Sequence, residues 1–150
     1  MSKAIPQITL QKMLAQPKQA GIYHLPHGAK AALSKAAKAL GFANFQVSFE
    51  ESDNMGTILA ALGRDLDFPD WYGANFDALN DCLTDFSWHE AAGYVITIAH
   101  ADAVHATPNS FSALNAVFTN AIEEWQARDV PFWIFYDLRA DGLATLPSLA

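Results

Sequence analysis

Two short stretches constrain this chain more than any others: Tyr94-Val95-Ile96-Thr97-Ile98-Ala99 and Phe132-Trp133-Ile134-Phe135-Tyr136. Each is nearly unbroken in apolar character. A strand with one face in water alternates apolar and polar residues, so a run without alternation fits a strand covered on both faces. Between the two runs, Thr107-Pro108-Asn109-Ser110 opens a long segment in which Phe111, Leu114, Phe118, Ala121, Ile122 and Trp125 recur at helical spacing. Buried strands joined by helices predict an α/β chain: a small, mainly parallel β-sheet of three to four strands covered by helices.

The remaining segments supply the other elements. Ile22-Tyr23-His24-Leu25 reads as a short strand stopped by Pro26-His27-Gly28. An alanine-rich helix follows from about Ala29 to Leu40, with Leu33, Ala36, Ala37 and Leu40 on one face and Gly41 as its stop. Phe45-Gln46-Val47-Ser48-Phe49 alternates like a strand with one better-covered face. Asp53 or Asn54 can cap a helix running to about Leu62, and residues 63–73 read as a loop rich in Asp, Pro and Gly. A short helical turn capped by Thr9 precedes all of these. The expected organisation is a leader plus an added βα unit over residues 1–43, packed on the same domain as residues 44–138, with a loose tail over 139–150.

Charge narrows the partners. Residues 1–49 hold six lysines and no acid, whereas residues 50–150 hold all 16 acids against only Arg64, Arg128 and Arg139. An acidic body is repelled by phosphate backbones and drawn to cationic surfaces, which argues against direct nucleic-acid binding by the C-terminal two-thirds. No run approaches the roughly 18 apolar residues of a membrane span, and the start of the chain lacks the apolar core of a signal peptide. The expectation is a cytoplasmic monomer without a membrane contact. Cys82 is the one cysteine, so neither an internal disulfide nor a cysteine-based zinc site is available.

From Asp65 to Asp85 the chain carries six aspartates and no Lys or Arg. Asn75 is placed to cap a helix through Phe86. At about 100° per residue, Phe76, Leu79, Leu83 and Phe86 share the inward stripe with Cys82 at its border, and Asp77, Asn80, Asp81 and Thr84 share the opposite one. Trp71 and Tyr72 stand just ahead, beside Gly73, in a loop where polar residues are usual. One reading is a protein-binding patch in which charge steers a basic partner and the aromatics anchor it. The other is structural: Asp77 near a helix N-terminus favours the macrodipole, Asp81 and Asp85 are solvated, and the aromatics turn inward. Periodicity and charge leave both open.

The run Leu66-Asp67-Phe68-Pro69-Asp70-Trp71-Tyr72-Gly73-Ala74-Asn75-Phe76-Asp77-Ala78-Leu79-Asn80-Asp81-Cys82-Leu83-Thr84 resembles the signature of the barstar family: a Pro, two aromatics and Gly, then Asn, followed by Asp-Ala-Leu and Asp-Cys-Leu-Thr. The order of elements from about Phe45 to Leu138 is similar as well. The resemblance implies an inhibitor of a basic, barnase-type ribonuclease or a related nuclease toxin, an immunity protein for the cell that makes the enzyme. It implies Asp81 as the central carboxylate, standing where a substrate phosphate would sit, and Asp77 as the partner of a neighbouring base. Trp71 matches a contact aromatic; Tyr72, Gly73, Asn75, Asn80 and Thr84 complete the expected partner-binding set. Three positions depart from the family pattern. Asn80 stands in place of a contact tryptophan, Asp85 in place of a glycine, and the position near Ser112 carries no acid where the family has a glutamate.

Nothing in the sequence makes a case for an enzyme, a catalytic residue, a cofactor or a metal. His100-Ala101-Asp102-Ala103-Val104-His105 follows a strand but is a weak match to a metal site, and the aspartates of 65–70 lack calcium-loop spacing. Phosphate-loop, nucleophile-elbow and zinc-protease motifs are missing. A binding module that docks on a basic protein without inhibiting it is the alternative function.

Overall fold

The computed structural model describes residues 6–25 and 28–138. Four strands form one all-parallel sheet in the order β1-β4-β3-β2: β1 (Ile22–His24), β2 (Ala43–Ser48), β3 (Tyr94–Ala99) and β4 (Phe132–Asp137). Six helices are found among the described residues: α1 (Gln7–Leu14), α2 (Lys30–Ala39), α3 (Met55–Asp65), α4 (Phe76–Asp85), the single-turn α5 (Asp102–His105) and α6 (Pro108–Ala127). The two apolar runs are the central strands β3 and β4, as their lack of alternation requires.

Register shows how one row of residues crosses the sheet: Ile22 pairs with Ile134, Ile134 with Ile96, and Ile96 with Phe45. Alternation then divides the sheet's two faces. On one face Tyr136 donates its hydroxyl to Asn115 of α6 at 2.7 Å, and Tyr94 and Phe132 pack against Trp125 of the same helix. On the other, Trp133 stacks with Phe135 and meets Tyr23 at a tilt of 34°, and its indole N–H reaches the Leu14 carbonyl of α1 at 3.0 Å. Thus α4 and α6 cover one side, and α1 with α2 the other. The exposed lysines 12, 18, 30, 35 and 38 all belong to the α1–α2 side or the turn joining it to β1.

The short N-terminal strand joins the sheet through β4 rather than its sequence neighbour β2, so α2 belongs to a connection that runs from one edge of the sheet to the other. At the β2 edge, the end of α3 closes the ladder: the Ser48 N–H donates to Asp65 Oδ2 at 2.9 Å. Covering a strand edge removes a template for unwanted pairing.

Several boundaries differ from expectation. Helix α1 begins before Thr9, which lies inside it, with Pro6 at its N-cap; the fixed φ of proline suits a helix start. Helix α3 is capped by the Asn54 side chain and continues to Asp65, shortening the loop that follows. Polar Arg64 and Asp65 mask that last turn in sequence. The His100–His105 segment after β3 contains the short helix α5. The expected tail, residues 139–150, lies outside the described residues, as do Pro26 and His27.

Candidate functional site

Helix α4 starts where Asn75 turns its side chain back on the backbone: Oδ1 accepts from the Ala78 N–H at 2.8 Å, satisfying one of the free donors of the first turn. Gly73 lies close against this turn. A Cβ there would sit 3.2 Å from Asn75 Nδ2 and 4.0 Å from Ala78 Cβ, so a side chain would press on the cap. At the other end, Phe86 takes the left-handed conformation, φ 48°, that closes the helix. Asp85, in place of the family's glycine, is therefore not the residue that needs positive φ.

The carbonyls at the end of α4 find donors on α6 and at its C-cap. Trp125 Nε1 donates to Leu83 O at 2.7 Å and Arg128 Nη1 to Thr84 O at 2.8 Å, with the guanidinium 4.4 Å above the Trp125 ring. A cation at a helix C-terminus is favourable in itself. Held at both ends, α4 buries Leu79, Cys82 and Leu83 and leaves Asp77 and Asp81 exposed. Among the described residues no hydrogen bond or ion pair engages either carboxylate. The two lie one helical turn apart, about 6 Å along the axis.

The other members of the expected row are spoken for. Asn80 is half-buried between helices and accepts from Asn120 Nδ2 of α6 at 2.7 Å. Thr84 donates its hydroxyl back to Asn80 O at 2.8 Å. Both lie on the flank of α4 that meets α6, and the acceptor row reduces to the two carboxylates.

The aromatic pair ahead of the helix divides as well. Trp71 is 58% exposed. Tyr72, by contrast, turns inward: its ring covers Gly63 and packs edge-on to Phe68 at 4.8 Å, and its hydroxyl donates to Leu59 O of α3 at 2.8 Å. Burial pushes its phenol up to about 12. Tyr72 is the anchor of the loop, and Trp71 the aromatic it presents. Asp65, first of the six aspartates, is equally structural. Arg64 beside it holds its carboxyl below the ordinary value, with help from the Ser48 N–H and against the effect of burial. Cys82 is a buried thiol pushed up to about 11, by burial first and then by Asp81 and Asp85.

Two features escaped the sequence reading. Trp88, in the turn after α4, packs on Phe68 and Phe86 and meets Trp71 edge-on at 6.4 Å; an aromatic in a polar turn was its only signal. On α6 and its C-cap, Asn120, Glu124 and Arg128 continue one stripe on the side of α4, and Glu124 lies 3.9 Å from Arg128. Their spacing was visible, but the neighbouring helix was not. The missing acid near Ser112 loses its weight for the same reason. Ser112 lines a groove of about 900 Å³ between α6 and the start of β1, on the flank of α6 turned away from α4. The acid of α6 that lies beside α4 is Glu124. Neither Asp77 nor Asp81 lines that groove.

Comparison with known proteins agrees with this architecture. A family model described as Barstar (barnase inhibitor) matches residues 42–137, from the start of β2 to the end of β4. A comparison of the whole sequence with curated proteins gave no match.

Proposed function

Because the chain belongs to the barstar family, an inhibitor family rather than an enzyme family, we propose that it blocks the active site of a basic, barnase-type ribonuclease or a related nuclease toxin with the exposed face of α4. The observation that carries this reading is the pair Asp77 and Asp81: two carboxylates on a helix secured at both ends, neither held by a described cation. A carboxylate and a phosphate both accept paired hydrogen bonds from a guanidinium. Asp81 takes the place of a substrate phosphate, and Asp77 meets an adjacent basic side chain. Trp71 supplies the apolar contact. Tyr72, Gly73, Asn75 and Thr84 keep loop and helix in shape, and Asn80 braces α4 on α6.

Opposite charge speeds encounter with a cationic enzyme and makes association sensitive to salt. The protein acts as a cytoplasmic monomer in this reading, and binds neither nucleic acid nor membrane; among the described residues no helix is long and apolar enough to cross a bilayer.

The test is titration of the protein and of Asp81→Ala against barnase and a small panel of basic microbial ribonucleases, following RNA cleavage. Stoichiometric inhibition is expected. Truncating one member of a buried charge pair costs about 2–5 kcal/mol, a loss of roughly 30- to 5,000-fold in affinity. Inhibition untouched by the mutation moves the site elsewhere. Binding to a basic ribonuclease that leaves its active site open supports the alternative, a non-inhibitory acidic module, which the loss of an aromatic at Asn80 favours.

A further inference from the structure

Trp88 is an expensive residue where it stands. Its ring is packed by Phe68 at 5.8 Å and Phe86 at 5.2 Å, contacts that any aromatic side chain could make. Its indole N–H, however, is buried and meets no acceptor among the described residues. A buried donor left unpaired penalises the folded state, and phenylalanine would fill the same place without one. Packing alone therefore does not account for tryptophan at this position. What the larger ring adds is reach: it extends to Trp71 and meets that indole almost perpendicularly, at 85°.

Trp71 has little else to hold it. It is largely exposed, at the tip of a turn closed by the Tyr72 N–H donating to Pro69 O at 3.0 Å. Backbone position is secured by Tyr72, whose hydroxyl is tied to α3, but the indole keeps its own two torsions. Edge-to-face contact with Trp88 is the interaction that selects among them. An aromatic already fixed in its bound pose binds more tightly, because less freedom is lost on association.

We infer that Trp88 is a positioning residue for the partner-binding surface: it does not meet the partner itself but holds Trp71 in the orientation from which Trp71 does. Half-buried under a loop from another part of the chain, it lets the surface carry a preset aromatic beside the acidic helix. This rests on the inhibitor reading above, with Trp71 as a contact.

The experiment compares wild type, Trp71→Ala, Trp88→Phe and the double variant for inhibition of whichever ribonuclease of the panel is inhibited, with barnase as the first probe. Trp88→Phe retains the packing and removes the stranded donor, so its unfolding midpoint should equal or exceed the wild type. Its inhibition constant should nonetheless weaken roughly 2- to 10-fold, the range of an aromatic pair, and it should have no further effect once Trp71 is alanine. Wild-type inhibition by Trp88→Phe, or losses that multiply in the double variant, overturn the assignment. If the wild type inhibits no ribonuclease, the inhibitor reading fails, and the positioning is then read on the free protein. Two indoles at 6.4 Å should give a coupled circular-dichroism band that disappears in Trp71→Phe and Trp88→Phe alike; a band surviving in either variant refutes it.

Discussion

Gly63→Ala separates two effects that point in opposite directions. Gly63 lies within α3, where replacing glycine by alanine ordinarily stabilises by about 1 kcal/mol. Here the added Cβ would stand 2.7 and 2.8 Å from two ring carbons of Tyr72, far inside van der Waals contact. The ring cannot swing away freely, because its hydroxyl is held at 2.8 Å by Leu59 O and the ring itself packs against Phe68. Reaching an ordinary carbon–carbon distance takes a shift of roughly 1 Å, enough to break that hydrogen bond. Overpacking costs about 1–3 kcal/mol and the lost bond about 1 kcal/mol. Set against the helical gain, the net is a destabilisation of about 1–3 kcal/mol. Urea unfolding with linear extrapolation measures it. In a Tyr72→Ala background the sign should reverse, with Gly63→Ala now stabilising by about 1 kcal/mol. Because Tyr72 carries the loop that presents Trp71, the single variant should also inhibit less well. Equal or greater stability for Gly63→Ala in the wild-type background would refute the reasoning, since it would mean that the ring yields at no cost.

Other expectations concern the surroundings of α4. Asn75→Ala removes the N-cap and should cost about 1 kcal/mol in urea unfolding, whereas Asn75→Asp should cost much less. Cys82, buried and pushed up to about 11, is ionised in roughly one molecule per thousand at pH 8; a disulfide reagent should label the native protein at least about a hundredfold more slowly than the urea-unfolded chain, and rapid native labelling would contradict its burial. The Asp65 carboxyl is held below its ordinary value in the folded state, so its contribution is complete above the unfolded value and disappears as pH falls through the folded one. Asp65→Asn should therefore flatten part of the stability loss as pH falls below the ordinary aspartate value of 3.8, measured as denaturation midpoints down the acid limb; an unchanged acid limb would remove Asp65 from the cause.

Elements that depend on short-range physics are legible in the amino-acid sequence. Unbroken apolar runs identify β3 and β4 because a strand's faces follow from a period of two. The inward stripe of α4 follows from its period of 3.6, and Asn75 is legible as a cap because a capping side chain bonds a backbone group only three residues away. The exposed pair Asp77 and Asp81 came from the same periodicity. Which elements become neighbours is settled by packing, since those contacts join residues far apart in the chain. It placed β1 beside β4, and it turned Tyr72 inward while leaving Trp71 outside, although the two adjoin in sequence. It also set α6 against α4, which occupies Asn80 with Asn120 and brings Glu124 and Arg128 alongside, and it put Trp88 under Trp71. A helical period tells which way a side chain points relative to its own axis; what stands in that direction is settled only when the helix is packed.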